Sequence, residues 1–277
     1  MISIKLDRYA VIGNPIAHSK SPQIHAVFAK QTGQAMHYEA ILSPLDGFAE
    51  TIKQLIAQGY KGVNVTVPFK FEAFNLCDEL SERAQTAGAV NTLIFNNNKI
   101  KGDNTDGAGL VGDITNNLNV TLQNKSILLL GAGGAAQGVL LPLIAQNPTS
   151  ILIANRGLEK AQNLVKHATK NAACHISACD LAMLNQPFDV IINATSTGLT
   201  DTTLPIPDSI FTKNTLAYDM MYGRETPFMV QARQNGATVA DGLGMLVEQA
   251  AEAFYLWRGV RPSTQPVIQQ LKQKIGI

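Results

Sequence analysis

The sequence predicts an α/β protein of two domains. The chain has 277 residues, longer than one small core needs and typical of two domains of about 100–150 residues each. Short apolar runs alternate with segments of helical spacing, which implies a parallel sheet covered on both faces. A glycine-rich turn, Gly131-Ala132-Gly133-Gly134-Ala135-Ala136, separates one such run from a helix-like segment.

Taken in order, Tyr9 to Gly13 reads as a buried strand. Ser21 and Pro22 open a helix, with serine as N-cap and proline at the first helical position. Ile24, Val27, Phe28 and Gln31 continue it, and Gly33 stops it. Leu45 to Gly59 reads as a second helix. Gly62 to Val67 alternates, with Val63, Val65 and Val67 on one face and Asn64 and Thr66 on the other. Pro68 ends that strand. A turn or two of helix follows through Leu80, then strands Ala89 to Phe95 and Lys99 to Gly102, joined by a turn at Asn96-Asn97-Asn98.

Asp106-Gly107 opens a helix to about Leu118. Ser126 to Leu130 is a buried strand, followed by the glycine turn and a helix from Ala135 to Gln146. Strand Ile151 to Ala154, helix Leu158 to Thr169, strands Asp189 to Asn193 and Thr215 to Tyr218, and helix Pro227 to Asn235 come next. A long helix, Leu243 to Arg258, is closed by Gly259, and another runs from about Pro266 to Ile275. The predicted domains are residues 1–103, an N-terminal α/β domain, and residues 104–240, a parallel-sheet domain. Residues 241–277 form helices that pack back on the first.

Composition excludes several classes. At 45% hydrophobic and 16% charged residues, the chain is not disordered and has apolar material for two cores. A formal net charge of +1 gives no global field for nucleic acid or an anionic membrane. Cys77, Cys174 and Cys179 form no CxxC or zinc spacing, which fits a reducing cytoplasm. The five histidines show no metal spacing either, so no metal is expected. The N-terminus carries Lys5, Asp7 and Arg8 and lacks the apolar core of a signal peptide. No charge occurs between Lys125 and Arg156, a length that could span a bilayer. Four glycines, Pro142, Gln137, Gln146 and Asn147 interrupt it, so a buried strand, a turn and a buried helix explain it better.

Gly131-x-Gly133-x-x-Ala136 follows a strand and opens a helix. The first glycine permits the tight turn, the second lets a pyrophosphate approach the backbone, and the small third residue lets helix and strand pack closely. The helix N-terminus offers unpaired N–H groups to phosphate. This predicts a Rossmann-type dinucleotide domain. The following strand ends in Asn155-Arg156 with Lys160 beyond. An NAD site wants a carboxylate there for the ribose 2′-OH. A guanidinium pairs instead with a 2′-phosphate, so NADP is the expected cofactor.

Three further pieces suggest a reaction site. Ser19-Lys20-Ser21-Pro22 offers two hydroxyls at a loop-to-helix junction, although Ser21 is also a good cap by itself. Asn64 to Lys70 places Thr66 and Lys70 near the end of a strand, where open α/β sheets carry ligands. Asn104-Thr105-Asp106-Gly107 puts a carboxylate at a helix start, where helix capping is the plainer account. A lysine exchanging protons at neutral pH needs its pKa brought from about 10.4 towards about 7–8. A neighbouring carboxylate pushes the other way, so Asp106 is better cast as orienting a substrate hydroxyl. Which of Lys70 and Asp106 makes the formal proton transfer stays open.

These residues resemble a known family over nearly the whole chain: the bacterial NADP-dependent shikimate dehydrogenases of the AroE type. The matching segments are Ala10 to Pro22, Asn64 to Lys70, Gly88-Ala89-Val90-Asn91-Thr92, Gly102 to Gly107, Gly131 to Ala135, Asn155-Arg156, Ile192 to Thr195, and Asp241 to Leu246. The resemblance implies reversible NADPH-dependent reduction of 3-dehydroshikimate to shikimate, on the route to chorismate and the aromatic amino acids. It implies proton transfer at Lys70 paired with Asp106. It assigns shikimate binding to Ser19, Ser21, Thr66, Lys70, Asn91, Asp106, Tyr222 and Gln249. NADP would contact Gly131, Ala132, Gly133, Gly134, Ala135, Asn155, Arg156, Gly157, Lys160, the backbone at Met220 and Gly242, and Glu82. Gln249 also falls on the apolar stripe Leu246, Ala250, Ala253, Trp257, where a buried polar group needs a partner.

Two departures from the family pattern stand out. Gly157 replaces a threonine and Lys160 an arginine at the adenine end, so a planar fork becomes a point charge. Phe71 follows the lysine where an acidic residue is frequent. The expected site lies in a cleft between the two domains, whose closure excludes water. The rivals are a quinate/shikimate dehydrogenase that uses NAD, and a non-catalytic NADP-binding sensor. The expected partner is a small molecule, with no nucleic acid or membrane, and the protein a monomer or homodimer.

Overall fold

A computed structural model describes residues 6–97, 99–168, 174–197 and 202–275. The chain divides into two compact units, Met1–Gly109 with Val247–Ile277, and Leu110–Leu246. Asn98 and Thr169, expected in a turn and a helix, lie outside the described residues.

The first unit carries β1 (Asp7–Gly13), α1 (Ser21–Thr32), β2 (Met36–Leu42), α2 (Phe48–Ala57), β3 (Tyr60–Val65), α3 (Lys70–Leu76), β4 (Glu79–Leu80), α4 (Glu82–Ala87), β5 (Thr92–Asn96) and β6 (Lys99–Asp103). Its six strands are ordered β2-β1-β3-β5-β6-β4. This sheet is mixed rather than parallel throughout. β1 runs parallel to β2 and β3, but β5 is antiparallel to both β3 and β6. The short connection between β5 and β6 can join only antiparallel neighbours, which accounts for that pair. The core of this unit gathers Ile12, Phe48, Ile52, Val63, Val65, Phe69 and Leu93.

Two helices complete the unit: the greater part of α9 (Leu243–Arg258), and α10 (Gln265–Ile275). The Trp257 indole N–H donates to the Leu93 carbonyl at 3.1 Å. Gly62 lies beneath the indole, and a Cβ there would strike both that ring and the Leu93 carbonyl. Trp257 also meets Tyr9, ring centroids 4.8 Å apart, and His25 at 5.5 Å. His25 is fully buried and stacks on Tyr38, 4.1 Å between centroids and 10° between planes.

The second unit carries β7 (Ser126–Leu130), α6 (Gly134–Ile144), β8 (Ser150–Ala154), α7 (Leu158–Ala168), β9 (His175–Cys179), β10 (Val190–Asn193), β11 (Leu216–Asp219), α8 (Pro227–Gln234) and β12 (Thr238–Ala240). All pairings are parallel, in the order β12-β11-β10-β7-β8-β9. This is the doubly wound dinucleotide-binding order, with the switch point between β7 and β10. Ile127 and Leu129 enter one core and Leu128 and Leu130 the other. A strand buried on both faces has no polar alternation, which is why this segment lacks charge. Among the described residues, no helix is long and apolar enough to cross a membrane.

Several expectations are corrected. The α1 helix starts at Ser21 with Lys20 in the cap position and no side-chain cap, so Ser21 is not the N-cap. Lys20 already has helical backbone angles, which moves the helix start back one residue. The second helix is shorter than Leu45–Gly59, beginning at Phe48 after a turn. Val67 is not on the core face: β3 ends at Val65, and Val67 is 67% exposed. Leu80 belongs to β4, and α4 follows it. The Asp106 helix, α5 (Asp106–Gly112), passes into a π-type turn at Asp113–Asn117, where the Tyr218 hydroxyl donates to the buried Asp113 carboxylate at 2.6 Å. β2, β9 and β12 are additions to the predicted elements, and all three are edge strands.

Candidate active site

Lys70 and Asp106 meet in the first unit. Lys70 opens α3 and Asp106 opens α5, and Nζ lies 2.5 Å from Oδ2. Their side chains are 30% and 17% exposed, so the pair is partly screened from water yet open to a ligand. Asp106 does not spend its carboxylate on capping. Its other oxygen accepts from Asn91 Nδ2 at 2.8 Å, and its own N–H goes to Asn104 Oδ1 at 3.1 Å. Asn104 Nδ2 in turn donates to the Ala89 carbonyl at 3.1 Å. The turn carrying Asp106 is therefore tied down on both sides.

Asp103, just upstream, braces the same turn. It accepts from Arg83 Nε at 2.6 Å, Ser81 Oγ at 2.6 Å and the Asn104 N–H at 2.7 Å. Burial alone would raise its pKa, but Arg83 and Ser81 outweigh burial and hold it below the usual value. Arg83 also reaches Glu252 on α9 at 3.0 Å.

Thr105 links the next predicted residue. Its hydroxyl lies 3.0 Å from Asn91 Nδ2 and 3.5 Å from Gln249 Oε1 on α9. Ser19 and Ser21 are adjacent, with the Ser21 N–H donating to Ser19 Oγ at 3.3 Å. They follow β1, and Thr66 follows β3, its N–H bonded to the Ile12 carbonyl at 2.9 Å. Since β1 and β3 are parallel neighbours, these hydroxyls share the carboxyl end of the sheet, where such folds bind ligands. Tyr222 lies in the second unit, half-buried, with burial pushing its phenol pKa up. Thr92, Asn104 and Thr105 fall within the sequence motifs, yet the sequence alone gives them no role. Their cue is a polar side chain inside a strand or turn that is otherwise buried.

The second unit holds the glycine loop at the end of β7. Gly131 has φ +103°, which L side chains rarely adopt, and a Cβ there would sit 3.2 Å from the Ala194 carbonyl. Its N–H donates to the Ala154 carbonyl at 2.8 Å. Gly133 caps α6 with open space where a Cβ would be, and Gly133, Gly134 and Ala135 are exposed while Ala136 is buried. The first-turn N–H groups of this helix thus face outward with no side chain over them, which fits a pyrophosphate.

After β8, Asn155 Nδ2 donates to the Gly157 carbonyl at 2.9 Å and closes a turn that leaves Arg156 and Lys160 exposed. Those cations suit a 2′-phosphate. Met220 follows β11, and its carbonyl packs directly on Gly242, leaving no room for a side chain there. The Gly242 N–H donates to the Met221 carbonyl at 2.8 Å. Glu82 is exposed in the first turn of α4. Cys77, Cys174 and Cys179 are half-buried free thiols. No group of three or more His, Cys, Asp or Glu among the described residues could hold a metal ion.

Three family models match the chain. Residues 11–93 match the shikimate dehydrogenase substrate binding domain, residues 113–203 the shikimate / quinate 5-dehydrogenase family, and residues 242–272 the shikimate 5′-dehydrogenase C-terminal domain. The shikimate dehydrogenase (NADP(+)) of Methylobacillus flagellatus is 58% identical over 268 residues, covering 96% of this chain and 99% of the relative. The crystal structure of an Ael1 enzyme from Pseudomonas putida is 48% identical with a TM-score of 0.92, covering 96% of this chain and 98% of that one. Shikimate 5-dehydrogenase from Thermus thermophilus, solved in complex with NADP(H) and shikimate, is 31% identical with a TM-score of 0.85, covering 97% and 99%.

Proposed function

The chain belongs to the shikimate dehydrogenase family, and from that premise we infer that it interconverts shikimate and 3-dehydroshikimate with NADP as the hydride carrier. The protein is an oxidoreductase of the shikimate pathway, which leads to the aromatic amino acids. Lys70 held against Asp106 at 2.5 Å is the observation that carries the reading. A non-catalytic sensor has no use for a lysine and a carboxylate held together so closely.

Shikimate oxidation removes a proton from the C3 hydroxyl and a hydride from C3. NADP, when bound, supplies the hydride acceptor for oxidation or, once reduced, the donor for the reverse direction. Lys70 takes the hydroxyl proton in the oxidative direction and returns it in reduction. Asp106 holds the lysine ammonium and orients the substrate hydroxyl, and Asn91 fixes the carboxylate by donating to its other oxygen. Ser19, Ser21, Thr66, Tyr222 and Gln249 serve as the remaining polar contacts to shikimate. Such groups contribute by holding the reacting atoms in line. On the cofactor side, the amides of Gly131 to Ala135 take the pyrophosphate. Arg156, with Asn155, Gly157 and Lys160 around it, takes the 2′-phosphate, the backbone of Met220 and Gly242 contacts the nicotinamide end, and Glu82 of the first unit is a further cofactor contact carried over from the family. A cytoplasmic setting is supported by three thiols left unpaired.

Absorbance at the NADPH band tests the reading, with shikimate and either NADP or NAD, then with quinate for shikimate. Reduction with shikimate and NADP is the expected result. Equal use of NAD or quinate would move the protein to the broader quinate/shikimate class. No reduction, with NADP still bound, would favour a sensor.

The Arg156→Ala variant isolates the cofactor argument. A lost charge-assisted contact is worth about 1.5–3 kcal/mol, so KM for NADP should rise about 10- to 100-fold while KM for NAD stays put. An unchanged NADP/NAD preference would take Arg156 out of the 2′-phosphate site and leave Lys160 as its holder.

A further inference from the structure

A line of buried polar side chains crosses the first sheet to Asp106. Tyr38 comes from β2, Asn64 from β3 and Thr92 from β5, with Asn91 just before it. The Tyr38 hydroxyl donates to Asn64 Oδ1 at 2.7 Å. Asn64 Nδ2 donates to Thr92 Oγ1 at 3.0 Å and to the Asn91 carbonyl at 3.2 Å. Thr92 Oγ1 donates to Asn91 Oδ1 at 2.9 Å, and the Thr105 N–H donates to the same oxygen at 2.9 Å. Asn91 Nδ2 is thereby turned to Asp106 Oδ1.

Each link has one direction, and the direction matters. Three donors on Asn91 Oδ1, the Thr92 hydroxyl, the Thr105 N–H and the Thr105 hydroxyl at 3.2 Å, keep that oxygen away from the Asp106 carboxylate. Were the Asn64 amide reversed, its oxygen would face Thr92, and the threonine hydroxyl would turn to donate there instead. Asn91 would then lose one of the donors that orient it. Reversed in its turn, Asn91 would set a carbonyl oxygen against a carboxylate. The Asn91 carbonyl is what stops the first reversal, because it can only accept and so needs the Asn64 NH2 group, while the Tyr38 hydroxyl donates to the oxygen left on the other side. In a buried network an unmade bond is costly and each bond polarises the next.

We propose that Thr92 is a positioning residue for the reaction. Its hydroxyl, which accepts from Asn64, holds the Asn91 amide so that its NH2 group braces the carboxylate on which Lys70 rests. The inference rests on the proposed function, in which Lys70 and Asp106 are the reacting pair. It adds to that reading three residues that touch neither substrate nor cofactor.

A double-mutant cycle tests it, with kcat for shikimate oxidation and KM for NADP as readouts. Thr92→Val keeps the shape and removes the hydroxyl. It should lower kcat about tenfold, the scale of one hydrogen bond to a charged network, with KM for NADP unchanged. Thr92→Ser should restore kcat to within about twofold. In the Asn91→Ala background, Thr92→Val should change kcat less than about twofold, because the group it acts through is gone. Tyr38→Phe keeps the ring on His25 but also removes the phenol's interaction with Ser21, so only the part of its loss that vanishes without Asn91 belongs to the relay. If Thr92→Val does not fold, Thr92→Ala in the same two backgrounds takes its place. The same fold-loss in both backgrounds, or no rescue by serine, would overturn the relay while leaving the function standing. No shikimate turnover in the unsubstituted protein would instead overturn the function, and the relay with it.

Discussion

Lys70→Ala is expected to lose about 10²- to 10⁴-fold in kcat while still binding shikimate and NADP. That range is what a positioned general acid–base group contributes. The lysine sits at the first position of α3, and its side chain is 30% exposed. Its partner carboxylate is only 17% exposed and would lose its cation, so the substitution should cost the fold about 1–3 kcal/mol. A melting curve of the variant separates that loss from the loss of activity. Calorimetric titration with shikimate should give a dissociation constant within about tenfold of the original, since several other polar groups share the binding. A kcat near that of the unsubstituted protein would remove Lys70 from the mechanism. Lost binding with unchanged kcat at saturation would recast it as a substrate anchor.

The second large effect is on stability and comes from His25. Burial in the cluster of Tyr38, Phe28, Phe254 and Trp257 pushes its pKa down to about 3, only partly offset by Asn64 beside it. The unfolded chain takes up a proton at about 6.5, whereas the folded protein refuses it until about pH 3. Above about pH 6.5 the residue is neutral in both states and contributes no pH dependence. As pH falls from there towards 3, the unfolded state binds the extra proton and stability drops. Three and a half units at about 1.4 kcal/mol each set a ceiling of about 5 kcal/mol. Asp103, held below its usual pKa, adds a separate loss only as pH falls below about 3.8. A His25→Phe variant should therefore lose most of the decline between pH 6.5 and 4 in urea midpoints, whatever its stability at pH 8. A decline of unchanged size in that variant would show that other groups carry it.

Much of the second unit was legible because its strands are buried on both faces. Ser126 to Leu130 could hardly be anything but a central strand, and the glycine turn after it followed from spacing alone. The edges were not legible. His175 to Cys179 and Thr238 to Ala240 pair on one side only, so they need no apolar run. In the first unit, Ser21 invites an N-cap reading because its type and its proline neighbour both favour one. The helix simply starts one residue earlier. Val67 continues an alternating pattern past the end of the strand that carries it.

At the site, the residue types were readable and their relations were not. Lys70 and Asp106 are 36 positions apart, and only the pairing of β3 with β5 and of β5 with β6 brings them together. The pairing of Asn64 with Thr92 and of Thr92 with Asp103 is a register fact, invisible in periodicity. The direction of each amide depends on it.

The lone tryptophan of the chain makes the first unit its own optical reporter. Trp257 rests on Tyr9 and His25 with its N–H on the Leu93 carbonyl, all within that unit. Its emission should shift to the red when that unit opens, and the second unit has no indole to contribute. Circular dichroism, by contrast, sums the helices of both. Emission and ellipticity recorded on one sample thus separate the melting of the first unit from that of the whole, with no label attached. Coincident curves would mean a single cooperative transition.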